Sequence, residues 1–230
     1  MFTCIDLFSG AGGLSCGLIK EGIESKVAVE IEKDFAETFK LNHKKCHVIN
    51  DDIANIDFHK IARKQNSGTF DLVCGGPPCQ GFSTVGKKNE KDTRNSLFWQ
   101  FLRAVKEINP KMVLFENVSG FKKLYNSNAF NTLKLELNEL GYQVKSKILN
   151  AADYGTPQHR KRTIIVGFKE GIDFYFPFPT HSQDGDMSTK KYNTLNDAIS
   201  DLPYLDSNQS EKNYLKTKSP YQKELRGSEK

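Results

Sequence analysis

The chain has 230 residues, 37% of them hydrophobic and 27% charged, and a formal net charge of +5. That is apolar material for one sizeable core, and no apolar run approaches the roughly 20 residues of a membrane-spanning helix. The five cysteines, at 4, 16, 46, 74 and 79, form no CxxC pair and no cluster with histidine, so free thiols in a reducing compartment and no metal site are expected.

The N-terminal residues MFTCIDLF carry no basic segment ahead of their apolar positions. They read as a first core strand rather than a secretory signal. A glycine-rich turn and a helix to about Lys20 follow. Residues 26–30 read as a second strand, 33–41 as a helix, 48–49 as a short third strand and 56–63 as helical. Residues 72–74 form a fourth apolar run, closed by Gly75-Gly76-Pro77-Pro78. Leu97, Phe98, Phe101, Leu102, Val105 and Ile108 recur at helical spacing before Pro110. Residues 112–115 are a fifth, fully apolar strand. Phe130, Leu133, Leu137 and Leu140 mark a helix that Gly141 ends. Residues 144–149 and 163–168 are the last two strands. Past Thr180 the composition turns polar, with a short helix at 194–202 and a solvated tail from Ser207. The expected division is a catalytic and cofactor-binding domain over 1–180 and a polar linker over 181–230.

Strands alternating with helices through short turns predict an α/β fold with a doubly wound, mostly parallel sheet, Rossmann-like in form. In such sheets ligands bind outside the carboxyl ends of the strands. Five groups able to do chemistry fall there: Gly10 to Gly13 after the first strand, Glu30 after the second, Asp51-Asp52 after the third, Cys79 after the fourth and Glu116 after the fifth.

The turn Phe8-Ser9-Gly10-Ala11-Gly12-Gly13 departs from the dinucleotide fingerprint, because Ser15 stands where a third glycine belongs. Glu30, twenty residues beyond Gly10, suits two ribose hydroxyls, and nothing basic in the turn favours a pyrophosphate. A nucleoside without phosphates, such as S-adenosyl-L-methionine, fits better than a dinucleotide. Asp52 is able to accept from an adenine amino group or to cap the helical stretch after it. In GGPPCQGFS, two prolines fix the path of the chain and leave a thiol at the end of a strand, a placement suited to nucleophilic chemistry.

Six stretches in order, DLFSGAGGLS, VEIEKDFAETF, NDDI, GGPPCQGFS, ENV and NAADYGTPQHRKR, resemble the DNA cytosine-5 methyltransferase family from about Phe2 to Pro179. The resemblance implies an S-adenosylmethionine-dependent methyltransferase fold and transfer of a methyl group to carbon 5 of a cytosine flipped out of double-stranded DNA. It makes Cys79 the nucleophile that attacks carbon 6 and Glu116 the glutamate that bonds ring nitrogen 3. Arg160 and Arg162 match the arginines that contact the cytosine carbonyl oxygen and hold the active-site carboxylate or the DNA backbone. The implied cofactor-binding residues are Phe8, Gly10, Gly12, Gly13, Leu14, Glu30, Ile31, Asp52, Ile53, Pro78 and Leu97. Gln80, Ser83, Lys87, Lys88 and Arg94 belong to a loop that would close over the DNA. The setting implied is the prokaryotic cytoplasm and a restriction-modification system.

The family pattern continues into a target-recognition region and final motifs that this sequence does not show. The expectation is a truncated chain, or one subunit of a split enzyme whose partner chain supplies the rest, with poor activity alone. Other readings are a tRNA cytosine-5 methyltransferase, a non-catalytic regulatory or binding subunit of the same fold, and a nicotinamide-dependent oxidoreductase. Retention of Cys79, Glu116 and both arginines weighs against the second, and the absent third glycine against the third.

Overall fold

A computed structural model describes residues 1–64, 69–78, 96–122, 128–203, 215–217 and 219–226. The elements in chain order are β1 (Thr3–Leu7), α1 (Gly13–Lys20), β2 (Glu24–Glu30), α2 (Lys33–Asn42), β3 (His47–Asn50), a 3-10 turn (Ile53–Asn55), α3 (Phe58–Arg63), β4 (Leu72–Gly75), α4 (Ser96–Ile108), β5 (Met112–Val118), α5 (Asn128–Glu139), β6 (Gln143–Asn150), a second 3-10 turn (Ala151–Tyr154), β7 (Lys161–Phe168), β8 (His181–Ser182), β9 (Lys190–Lys191), α6 (Leu195–Ile199) and α7 (Pro220–Arg226). The seven-stranded sheet has the order β3-β2-β1-β4-β5-β7-β6. The pairs from β3 across to β5 are parallel and β7 runs antiparallel to β5. The order reverses between β1 and β4, and the crevice beyond their carboxyl ends is where an open α/β sheet takes a ligand.

The chain divides into two compact units, one of residues 1–148 with 162–174 and one of 149–161 with 175–230. In the first, β1 and β4 are buried along nearly their whole length, as strands covered on both faces must be. The apolar stripe of α4 is buried through Phe98, Phe101, Leu102, Val105 and Ile108. Phe115 on β5 meets the rings of Phe101 and Phe121 at 5.2 Å and that of Phe98 at 6.3 Å. Gly141, with φ +84°, turns the chain out of α5, and the Tyr142 hydroxyl then donates to the Pro110 carbonyl at 2.7 Å.

Two expectations are corrected. The fifth strand does not end at Phe115. Its ladder with β7 continues through Glu116↔Ile164 to Val118↔Arg162, so Glu116 and Asn117 lie inside the strand. The tail beyond Ser207 is not wholly solvated, since α7 is a helix of the second unit. The fully buried Asp201 carboxylate there accepts from Arg226 at 2.7 Å, and the buried Gln222 side chain donates to Ser200 Oγ at 2.7 Å. In the same unit Thr194 and Asp197 form a capping box at the start of α6, which supplies the start signal for the short helix.

The ring cluster is the packing centre of the first unit. Phe115→Ala is expected to lower its stability by about 3–5 kcal/mol, read as a shift in the urea midpoint with unchanged m-value.

Candidate functional site

The turn after β1 is shaped by three residues with positive φ: Phe8 (+56°), Gly10 (+53°) and Gly12 (+94°). Gly12 is also fixed by crowding. A Cβ there would lie 2.4 Å from His43 Nε2 and 2.8 Å from Phe39. His43 Nε2 donates to the Gly12 carbonyl at 3.0 Å, with its ring 4.5 Å from that of Phe39. At Gly10 and Gly13 a Cβ would meet nothing within 4 Å, so the turn faces open space there.

Glu30 closes β2 as a buried residue. One carboxylate oxygen accepts the Gly10 N–H at 2.7 Å and the other accepts the Glu32 N–H at 2.9 Å. Each oxygen keeps a second acceptor position. Asn50, at the end of β3, donates to the carbonyls of Glu30 and Ile31 at 2.9 and 2.8 Å, which fixes the exit from β2. Ile31 itself is exposed and Ile53 is buried in the core. Asp52 Oδ1 caps the 3-10 turn through the Ala54 N–H at 2.9 Å; among the described residues no donor reaches its Oδ2. Leu14 packs with Leu18 and Ile23 on Cys4, Leu72 and Cys74, which leaves its backbone as the part able to serve a ligand.

Beneath the turn lies a buried polar chain. Ser15 Oγ donates to Asp6 Oδ2 at 2.6 Å and stands 3.0 Å from Ser25 Oγ. The serine in place of a third glycine therefore ties α1 to β1 by a hydrogen bond. Burial pushes the Asp6 carboxyl up to about 6, against the opposing pull of the Ser15 hydroxyl. Cys74 donates to the Ile5 carbonyl at 3.4 Å. A hydrogen bond with Cys4, together with burial, holds the Cys74 thiol well above the usual thiol range. Burial pushes Cys46 up to about 11. Neither thiol is suited to act as a nucleophile near neutral pH.

At the end of β4 close approach to backbone requires Gly75, and Gly76 lies against the Glu116 side chain. A Cβ on Gly75 would lie 2.3 Å from the Leu7 carbonyl oxygen, and one on Gly76 would lie 2.9 Å from Glu116 Oε2. Asn117 Nδ2 donates to the Pro77 carbonyl at 3.0 Å, which anchors the buried Pro77 beside β5. Pro78 is exposed, and Leu97 packs on the core. Arg162 Nε pairs with Glu116 Oε1 at 2.8 Å, the two side chains 27% and 29% exposed. Arg160 belongs to the other unit, where its carbonyl accepts the Ala151 N–H at 3.0 Å. Cys79, Gln80, Ser83, Lys87, Lys88 and Arg94 lie outside the described residues.

The structure thus joins Glu30, at the end of β2, to the turn of Phe8, Gly10 and Gly12, and brings Gly76, Glu116 and Arg162 into a second group. Sequence reasoning missed Asn50, His43, Asp6 and Ser15 as members of this rim. The stretch NDDI held the signal for Asn50, and the exception to the glycine fingerprint held it for Ser15.

A family model described as C-5 cytosine-specific DNA methylase matches residues 2–230. Type II methyltransferase M1.HphI of Haemophilus parahaemolyticus is 40% identical over 215 residues, 90% of this chain and 55% of that protein. Type II methyltransferase M.AquIA of Picosynechococcus is 40% identical over 218 residues, 86% of this chain and 88% of that protein. Among solved structures, a prophage-encoded E. coli protein named as a DNA modification methyltransferase superposes with a TM-score of 0.72 at 31% identity, over 89% of this chain and 56% of that one. The S. pombe Dnmt2 methyltransferase shares the fold at 24% identity and a TM-score of 0.64, over 76% of this chain and 53% of that one. The chain spans about half the length of M1.HphI and of both these structures.

The Asp6 carboxyl gives the rim a pH signature. Its folded pKa of about 6 lies above the ordinary 3.8, so ionising it costs stability. The cost is absent below pH 3.8 and complete above about pH 6. Asp6→Asn keeps an acceptor for Ser15 and removes the cost. The stability difference between variant and wild type is expected to move in favour of asparagine by about 3 kcal/mol between pH 3 and pH 7, measured by urea unfolding at a series of pH values.

Proposed function

The chain belongs to the C-5 cytosine-specific DNA methylase family, and from that premise we propose that it carries the cofactor-binding and catalytic portion of an enzyme that methylates carbon 5 of cytosine in double-stranded DNA. The observation that carries the reading is the Glu30 carboxylate. It is buried at the glycine turn and steered by two N–H groups, with acceptor capacity left for a vicinal diol. The turn departs from the dinucleotide fingerprint at Ser15 and holds no lysine or arginine, which weighs toward a nucleoside without phosphates.

These residues fit S-adenosyl-L-methionine, which when bound supplies a methyl group from a sulfonium centre. Glu30 would accept from both ribose hydroxyls, Asp52 Oδ2 from the adenine amino group, and Ile31 would offer an apolar face. The N–H groups of the turn remain for the amino-acid end. Cys79, as a thiolate, would form a bond to carbon 6 of a cytosine flipped from the duplex. Glu116 would hold a proton at ring nitrogen 3, which makes carbon 6 electrophilic, while Arg162 fixes the carboxylate. By adding at carbon 6, Cys79 makes carbon 5 nucleophilic. Its departure as thiolate, after the carbon 5 proton passes to water, restores the aromatic ring. Gln80, Ser83, Lys87, Lys88 and Arg94 would meet the DNA, the cations its phosphates.

We assign target recognition to segments equivalent to the part of M1.HphI that the match does not reach, on the same polypeptide or on a second chain. The compartment proposed is the prokaryotic cytoplasm.

Calorimetry tests the cofactor reading. S-adenosyl-L-methionine should bind and NAD should not, and Glu30→Ala should weaken binding at least tenfold, about 1.4 kcal/mol. Equal affinity in Glu30→Ala would sink the reading. Cys79→Ser should hold cofactor affinity within twofold and abolish methyl transfer to duplex DNA; retained transfer would remove Cys79 from the mechanism.

A further inference from the structure

Arg103 stands on α4, and the sequence gives it no role beyond a charge on a helix. In the structure its guanidinium reaches across to the segment after β3. Nη2 donates to the Ile53 carbonyl at 2.8 Å and Nη1 to the Ile56 carbonyl at 2.9 Å. Nε donates to Gln100 Oε1 at 2.6 Å, and Nη1 also reaches Glu107 Oε1 at 3.2 Å. The guanidinium carbon lies 4.9 Å from the centre of the Phe58 ring.

The two carbonyls lie at either end of the 3-10 turn whose cap is Asp52. A planar fork serves both at once, and a lysine ammonium on a flexible stem does not reproduce that geometry. Gln100 and Glu107 hold the fork from α4 itself, and Phe58 holds its face from α3. Arg103 is therefore locked on three sides, and the turn is locked to it.

We propose that Arg103 is a positioning residue that sets the Asp52 turn, and through it the preference for a 6-aminopurine over a 6-oxopurine cofactor. The inference rests on the S-adenosyl-L-methionine reading of this rim. An ionised Asp52 is an acceptor only. It gains from a 6-amino group and is repelled by a 6-oxo group, and a site built on such a hydrogen bond discriminates strongly only while the acceptor stays in place. Arg103 touches no part of the ligand in this scheme.

The test compares S-adenosyl-L-homocysteine with S-inosyl-L-homocysteine by calorimetry on wild type, Arg103→Lys and Arg103→Gln, with folding checked by circular dichroism. Wild type should favour the adenosyl compound. In both variants its affinity should fall at least tenfold and the adenosyl-to-inosyl ratio at least fivefold. An unchanged ratio, with or without a uniform loss of affinity, overturns the proposal. Failure of both variants to fold also overturns it, in favour of a purely structural role. Absence of adenosyl binding by wild type refutes the cofactor reading first and this inference with it.

Discussion

Glu30 ends β2 with a buried carboxylate, and burial of a charged group is costly unless hydrogen bonds compensate it. The compensation comes from two main-chain N–H groups, one in the glycine turn and one at the start of α2. That requirement dictates much of the rim. The turn must bring the Gly10 N–H to the acid, which demands positive φ at Phe8, Gly10 and Gly12. The end of β2 must stay in place, and Asn50 holds it through two carbonyls. His43 secures the far side of the turn. The acid is thus the point where β1, β2 and β3 are brought to a common geometry at their carboxyl ends.

The same logic explains the neighbouring departures from a dinucleotide fold. Where the fingerprint uses a third glycine for close packing, this chain uses Ser15 to pay back the burial of Asp6. The helix approaches the strand through a hydrogen bond rather than through the absence of a side chain. At β4 and β5 the glycines return, because Gly75 abuts the Leu7 carbonyl and Gly76 abuts the Glu116 carboxylate. That crowding sets where the chain leaves β4 relative to Glu116 and Arg162.

Much of the fold was legible because it rests on local signals. The apolar stripe of α4, the helix stop at Gly141 and the alternation of strands and helices are properties of short windows. Glu30 was legible from its distance to the glycine turn. What was hidden depends on partners far apart in the chain. Glu116 and Asn117 interrupt an apolar run, so the sequence reading ended β5 too early; only the ladder with β7 keeps them in the strand. The helix α7 carries Gln222 and Arg226, polar residues whose burial makes sense only beside Ser200 and Asp201. The two carbonyl partners of Arg103 lie some fifty residues upstream, beyond the reach of any local pattern.

The most direct measurement is a crystal structure of the chain bound to S-adenosyl-L-homocysteine. The account predicts both ribose hydroxyls within hydrogen-bond distance of the Glu30 carboxylate, with the Gly10 and Glu32 N–H contacts retained. A nucleoside bound elsewhere on the sheet, or a Glu30 side chain turned away from the sugar, would contradict it.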